Sequence, residues 1–243
     1  MNEFLIVLVI SFVAAFLTFL GAPAAERFDV PHKVVSAALQ FSAGIITALV
    51  GFSLMPTAVL KGPPWGVVLA FFVGGAIFVF FEYTSAKRMA AKPAGESSGA
   101  SLGLYFGILI DLVIDGVVIG VGSTVTLATG LLLAVGLAVG TAPLAFVTIA
   151  TAKRQGISKE NRRTLSILFF VCVVAGALLG YVLLRNRSLE LRLLLIALAS
   201  GFLITTVTQS MIPEANREGE PSFAGVFFVG GLALYALFTL YVK

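Results

Sequence analysis

The chain has 243 residues, of which 59% are hydrophobic and only 12% charged, and its mean hydropathy is +1.06. A soluble domain averages about 25% charged residues, so this composition excludes a soluble globular protein and indicates a polytopic membrane protein. The net charge of +4 predicts no nucleic-acid partner, because basic loops on the cytoplasmic side of a membrane account for it.

Eight apolar runs follow one another along the chain, each long enough to cross a bilayer as a helix at about 1.5 Å per residue. They cover residues 4–22, 34–55, 65–85, 102–122, 129–150, 164–184, 190–212 and 222–242. The first run resembles a signal-peptide core, but its leader Met1-Asn-Glu3 is acidic, so we expect a span there too. The connections are short, and residues 1–243 are predicted to form one membrane domain.

The sixteen Lys and Arg residues indicate the orientation of these spans. When the spans alternate in direction, eleven of these residues fall on one side and five on the other. Cytoplasmic loops carry the excess of basic residues, so the sequence predicts a multi-pass cell-membrane protein with both termini outside. The strongest cytoplasmic signal is the connection Lys153–Arg163, which also suits anionic lipid headgroups.

Two stretches of the chain repeat each other. Ser42–Ala58 aligns without gaps on Ala199–Ala215, and each stretch is followed by Phe-Phe-Val-Gly-Gly, at residues 71–75 and 227–231. Five spans separate the matching elements, so the second copy crosses the membrane in the opposite sense. This spacing predicts a 3+2+3 inverted repeat, with chance similarity of Gly- and Phe-rich helices as the alternative. Transporters built in this way place their site near the midplane, at the repeat interface.

Two carboxylates, Asp111 and Asp115, lie near the middle of the fourth run. An ionised carboxylate at the bilayer centre costs about 2.5–3.5 kcal/mol on insertion scales, so such residues normally face a bundle interior, a partner or a water-filled path. Their four-residue spacing places both on one helical face, where like charges repel. The pair predicts either a cation bound between the carboxylates or a neutralised pair that is hydrogen-bonded to Thr or Ser.

The fifth run carries polar residues that are predicted to support this pair. Thr141, Thr148 and Thr151 recur at spacings of seven and three, so they form one stripe that is expected to face the aspartates. Pro143 frees the carbonyl of Val139, which either coordinates a cation or marks a simple kink. Small residues in both runs predict close helix packing or a homodimer interface.

The endings Phe52–Ala58 and Gln209–Ala215, the fourth-run motif Asp111–Gly116 and the fifth-run motif Gly140–Thr148 resemble those of the Zrt/Irt-like (ZIP) family of divalent-metal transporters. The resemblance covers nearly the whole chain. It implies an all-α membrane protein with eight transmembrane helices in a 3+2+3 inverted-repeat bundle, and a metal site on the fourth and fifth spans.

The chain departs from the family's pattern at most of the metal ligands. Asp111 stands where the family has His, and no predicted span contains a His. The family's fifth-span His and Glu positions hold Gly140, Thr141, Leu144 and Ala145, its fifth-span Asp position holds Thr148, and its second-span His position holds Ser53. Carboxylates and hydroxyls suit Mg²⁺, Mn²⁺, Ca²⁺, a proton or Na⁺ better than zinc.

We therefore expect a carrier that moves an oxygen-liganded, divalent cation through a midplane site on Asp111 and Asp115. Supporting polar residues are predicted at Thr141, Thr148, Ser53, Gln209, Ser210 and Glu214. The alternative is a ZIP-derived membrane protein that no longer transports metal and acts as a partner or regulatory subunit. No enzyme is expected, because no span carries a nucleophile with a base in reach, and no cofactor is predicted. The expected partners are the lipid bilayer, the transported cation and a second copy of the chain.

Overall fold

The structure is a computed structural model that describes residues 3–28, 31–90, 97–217 and 223–241. Within these ranges it contains no strand, and eight helices are long and apolar enough to cross a membrane. They are α1 (Glu3–Arg27), α2 (His32–Lys61), α3 (Pro64–Ala90), α4 (Ser97–Val125), α5 (Leu127–Arg154), α6 (Lys159–Leu184), α7 (Leu189–Ala215) and α8 (Ala224–Tyr241). The prediction of an all-α chain with eight apolar helices of membrane-spanning length is confirmed.

Side-chain caps set where several of these helices begin. Thr126 alone separates α4 from α5, and its hydroxyl accepts the backbone N–H of Thr129 at 3.0 Å. Ser158 and Ser188 cap α6 and α7 in the same way. Each cap satisfies one of the N–H groups that a helix start leaves without an intrahelical partner. Gly156 turns the chain between α5 and α6 with a φ of 74°, which costs glycine little.

The helices pack as two groups. In the first group α4 packs along α6 and α1 along α5, and α1 also contacts α6. In the second group α2 packs along α8 and α3 along α7. The groups meet mainly where α2 contacts α5 and where α4 contacts α7. The fourth helix therefore reaches the seam between the two groups.

Glycines permit the closest helix pairs. A Cβ atom built on Gly44 of α2 would overlap the carbonyl oxygen of Phe228 in α8. A Cβ atom on Gly201 of α7 would overlap the carbonyl oxygen of Phe71 in α3 in the same way. Small residues at these points let the two backbones touch, as is common between helices in membranes.

The same two helix pairs share a second glycine contact. Gly231 of α8 lies against the carbonyl oxygen of Phe41, and Gly74 of α3 lies against that of Leu198. Residues 74 and 231 are 157 positions apart, as are residues 41 and 198, so the two contacts correspond under one shift of 157 positions. In the sequence alignment of the two Phe-Phe-Val-Gly-Gly segments the shift is 156 positions, and Gly74 aligns with Gly230 instead of Gly231.

Both α2 and α7 contain a five-residue π-helical segment, at Val50–Leu54 and Val207–Met211. Each segment follows 18 residues of α-helix. In the gapless alignment of the two repeated stretches, the two π segments fall on each other. A π segment accommodates one extra residue in a helical turn and is frequent at functional sites.

One end of the bundle carries most of the described cations, and we call it the basic end. It is the end at which α1 and α5 finish and α2 and α6 begin. Here Arg162 of α6 donates two hydrogen bonds to the carboxylate of Glu26 in α1, at 2.5 and 2.9 Å. At the opposite end, Arg192 of α7 donates to the carbonyl oxygens of Thr124 and Arg187, each at 2.7 Å. These contacts tie neighbouring helices together at both ends.

Candidate functional site

Asp111 and Asp115 lie one turn apart on the buried face of α4, and Asp115 is near the middle of its apolar segment Gly107–Val125. Asp111 is 5% exposed and Asp115 only 1%. Leu112 and Ile119, on neighbouring turns, are also buried. The fold therefore encloses both carboxylates in an apolar bundle.

Asp111 has one hydrogen-bond partner among the described residues. The hydroxyl of Thr206 in α7 lies 3.2 Å from Asp111 Oδ1 and donates to it. The same hydroxyl lies 3.2 Å from the carbonyl oxygen of Phe202. A hydroxyl has one hydrogen, so a bond to Asp111 is made at the expense of the bond to Phe202. Thr206 immediately precedes the π segment of α7, and it links the fourth helix to the seventh.

Thr206 was not among the residues predicted from the sequence. The polar residues that the sequence predicts in this helix are Gln209, Ser210 and Glu214, all of which follow Thr206. The sequence holds one signal for it, because the gapless alignment of Ser42–Ala58 on Ala199–Ala215 pairs Thr206 with Leu49 in the second span. A hydroxyl that replaces a leucine in one copy of a repeat indicates a local polar contact.

Asp115 has no partner at all among the described residues. Both of its carboxylate oxygens are buried and make no hydrogen bond. An ionised carboxylate in this state has lost its hydration without compensation, which costs several kcal/mol. Asp115 is therefore stable only if it is protonated or neutralised by a bound cation. Of the two carboxylates, Asp111 has the predicted hydrogen bond to a threonine, and Asp115 has none among the described residues.

The donor set around the pair consists of oxygen atoms. It contains the two carboxylates and the Thr206 hydroxyl, and the residues that the structure describes hold no cluster of three or more His, Cys, Asp or Glu side chains. Tetrahedral zinc sites normally draw on imidazole or thiolate ligands. Hard cations such as Mg²⁺ and Ca²⁺ accept oxygen ligands and complete their coordination with water. The arrangement therefore suits a hard cation.

Among the described residues, no hydrogen bond joins Thr141 or Thr148 of the predicted threonine stripe to the aspartates. The Thr141 hydroxyl lies 3.1 Å from that of Thr18 in α1 and 2.8 Å from the carbonyl oxygen of Leu137. Thr148 donates to the carbonyl oxygen of Leu144 at 2.7 Å. Thr141 differs from the expectation because α1 packs along α5, so that its hydroxyl contacts Thr18 of that helix.

The remaining predicted residues are dispersed. Ser53, in the π segment of α2, lies 3.0 Å from the Tyr235 hydroxyl of α8. Gln209 is exposed and Ser210 half-buried. Glu214 is at the basic end, 3.4 Å from Arg217. None of the described side chains in this predicted set donates a hydrogen bond to Asp111 or Asp115, so their supporting role stays a prediction.

No protein-family model and no curated protein matches the chain. The likeness to ZIP transporters therefore rests on the motifs quoted above and stays a prediction. What the structure adds is the buried carboxylate pair itself.

Proposed function

We propose that this protein is a ZIP-like transporter that moves a cation across the cell membrane through a midplane site on Asp111 and Asp115. The observation that carries the proposal is Asp115, a carboxylate with both oxygens buried and unpartnered inside apolar helices. Ionisable groups in this position are costly and typically mark ion pathways. A bound cation would offset that cost for both carboxylates at once.

The packing of the helices supports a 3+2+3 inverted repeat. If α1, α2 and α3 correspond to α6, α7 and α8, and α4 to α5, then the pair α1–α5 corresponds to α6–α4, and α2–α8 to α7–α3. All four pairs are extensive contacts of the bundle. The matched π segments and the glycine contacts related by 157 positions support the same correspondence. Folds of this type place the substrate where the two repeats meet, near the midplane.

The donor set favours a hard divalent cation, with Mg²⁺, Mn²⁺ and Ca²⁺ as the candidates. Two carboxylates supply two negative charges, and the Thr206 hydroxyl and water supply neutral oxygen ligands. Zinc is disfavoured, because neither imidazole nor thiolate is part of the described site.

The proposed orientation places the basic end in the cytoplasm and both termini outside. The basis is the excess of Lys and Arg at that end, which follows the positive-inside rule. In this orientation Asp111 lies one turn closer to the cytoplasm than Asp115, because α4 begins at the basic end.

Uptake into proteoliposomes tests the transport function. Purified protein is reconstituted, and Mn²⁺ entry is followed with an enclosed dye for the wild type, Asp111→Asn and Asp115→Asn. Glu82→Gln is the matched control, because it neutralises a half-buried carboxylate on a different helix, α3. We expect uptake to be lost in both aspartate variants and kept in the control. Normal uptake by either aspartate variant would contradict a site built on the pair.

A second candidate is a membrane protein that no longer transports metal and serves as a partner or regulatory subunit. The observation that favours it is the thin donor set, with no third strong metal ligand beside the aspartates among the described residues. If this second candidate is correct, the purified protein will be folded but will neither bind nor transport any of the tested ions.

A further inference from the structure

Arg192 ties the two helix groups together at the end of the bundle opposite the basic end. It belongs to α7, in the second group, and its guanidinium donates a hydrogen bond at 2.7 Å to the carbonyl oxygen of Thr124, near the end of α4 in the first group. It also donates to the carbonyl oxygens of Arg185 and Arg187, at 3.4 and 2.7 Å, where α6 ends. The carboxyl-terminal end of a helix carries a partial negative charge, so a cation at this point stabilises the contact between the groups.

A second contact crosses the seam deeper in the bundle. Tyr235 of α8 is 3% exposed, and its hydroxyl lies 3.0 Å from that of Ser53 in the π segment of α2. Its ring lies against Gly136 of α5, where a Cβ atom would overlap the ring. Because α8 belongs to the second group and α5 to the first, the tyrosine ring fills the seam between the groups, and Ser53 fixes its position.

The level of this contact relative to the carboxylate pair follows from the packing of α4 on α5. Leu133 of α5 lies against Gly122 of α4, which fixes the relative level of these two helices. Gly136 comes three residues after Leu133 and Val118 four residues before Gly122, so both lie about one turn deeper in the bundle, whereas Asp115 lies about two turns deeper. Spacings of three and four place Asp115, Val118 and Gly122 on one face of α4. The tyrosine ring and Val118 therefore lie between the carboxylate pair and the end opposite the basic end.

The seam is different at the basic end, where it contains a cavity of about 500 Å³. The walls of this cavity come from α1 and α5 of the first group and from α2 and α7 of the second. The helices α2 and α7 begin at His32 and Leu189, which are 157 positions apart. Under this shift Arg192 corresponds to Val35, which lines the cavity. At equivalent positions, an arginine links the two groups at one end and a valine lines a hollow at the other.

We propose that Arg192 and Tyr235 form a gate that closes the path between the Asp111–Asp115 site and the end opposite the basic end. Both contacts break before a cation can reach the pair from that side. Thr206, which hydrogen-bonds Asp111, is also in α7, so one helix connects the gate to the carboxylate pair. This inference rests on the proposed transport function, since a gate requires an ion path. Access to the seam is measurable without any cation, so the gate and the transport function can fail separately.

The rate at which a cysteine at position 118 reacts tests the gate. In a Cys172→Ala background, Val118→Cys is placed in the closed part of the seam, where Val118 is 1% exposed. An impermeant thiol reagent is added to intact cells, and Asn186→Cys gives the rate for an exposed position at the end opposite the basic end. We expect position 118 to react slowly in this parent protein. It should react about tenfold faster when Arg192→Gln is added, because hydrogen bonds from a charged group are lost.

Matched variants separate the gate from general effects of charge and size. Arg187→Gln removes a cation from an exposed side chain at the same end and keeps the carbonyl oxygen that Arg192 contacts, so labelling should stay slow. Tyr235→Phe deletes only the hydroxyl and should accelerate labelling, whereas Tyr241→Phe, at an exposed position of the same helix, should not.

An unchanged labelling rate in either gate variant would overturn the proposal, as would an equal increase in its control. A parent protein that reacts at position 118 as fast as at position 186 would show that this side of the seam is open, and would overturn the proposal as well. Mn²⁺ uptake by the wild type, together with either result, would leave the transport function standing without the gate.

Discussion

At the residue scale, the two buried carboxylates of α4 differ in their surroundings. Asp111 shares a hydrogen bond with Thr206, while Asp115 has no partner among the described residues. The two carboxylates are chemically alike and their surroundings are not. Asp111 is held in place by α7, whereas the Asp115 carboxylate has both oxygens available to a ligand.

The variant Thr206→Val tests the contact between α4 and α7. It removes one hydroxyl at nearly constant volume, so the Asp111 carboxylate loses its fixed orientation. A hydrogen bond to a charged group contributes about 1.5–3 kcal/mol, so cation affinity should fall about tenfold or more. Titration calorimetry measures the change. The matched control is Thr205→Val, since among the described residues the Thr205 hydroxyl bonds only to the carbonyl oxygen of Gly201, at 2.9 Å. Equal affinities for the two variants would show that this contact does not organise the site.

Replacing Asp115 should stabilise the empty protein. In buffer without divalent ions Asp115→Leu replaces an unpaired buried carboxyl with an apolar side chain, so the free energy of unfolding should rise by about 1–3 kcal/mol. Adding Mn²⁺ should then raise the melting temperature of the wild type and leave that of the variant unchanged, because only the wild type binds the ion. Thermal unfolding in detergent measures both effects. A variant that is less stable than the wild type in metal-free buffer would indicate that Asp115 has a structural partner.

At the element scale, close helix packing depends on glycines whose neighbours are backbone atoms. Gly44 contacts the backbone of α8, while Gly51, two turns further along α2, has no atom within 4 Å of where its Cβ would be. The two glycines share a helix, but Gly44 is buried in its α-helical part and Gly51 is exposed in its π segment.

These two glycines give a matched pair of variants. Gly44→Ala should force α2 away from α8 and lower the free energy of unfolding by about 1–3 kcal/mol, as overpacking does elsewhere. Gly51→Ala should be neutral or slightly stabilising, because the methyl group meets open space and alanine favours helix. Melting temperatures in the same detergent compare the two. Similar losses in both variants would mean that α2 and α8 are not in close contact.

The sequence predicts some of these elements well and others not at all. Runs such as residues 164–184 locate helices because about twenty apolar residues have no other stable form in a bilayer. The π segment Val207–Met211 has no such signature, since its extra residue is accommodated by packing rather than dictated by residue type. Spacing placed Thr141 and Thr148 on one helical face but could not say which neighbouring helix that face meets, and Thr141 lies against α1.

At the scale of the whole molecule, eight apolar helices of alternating direction run between the basic end and the opposite end. Lys159 is exposed at the start of α6, and Asn186 is exposed in the connection between α6 and α7, so the two residues mark opposite ends. Their accessibility reports the orientation of the entire chain.

Cysteine labelling tests this orientation. In a Cys172→Ala background, which removes the single native thiol, Asn186→Cys should react with an impermeant maleimide in intact cells. Lys159→Cys should react only after the cells are permeabilised. Labelling of position 159 in intact cells, with position 186 protected, would reverse the proposed topology.

The central claim is that Asp111 and Asp115 together bind a hard cation. Its most direct test is a competition series with Mn²⁺, Mg²⁺, Ca²⁺ and Zn²⁺ on purified wild-type protein and Asp115→Asn, repeated at several pH values. We expect the wild type to bind these ions without tight zinc selectivity. Binding should weaken on acidification, because carboxylates must lose their protons to bind a metal ion. Binding should disappear in Asp115→Asn. Tight zinc binding that persists in Asp115→Asn, or the absence of binding by every ion, would contradict it.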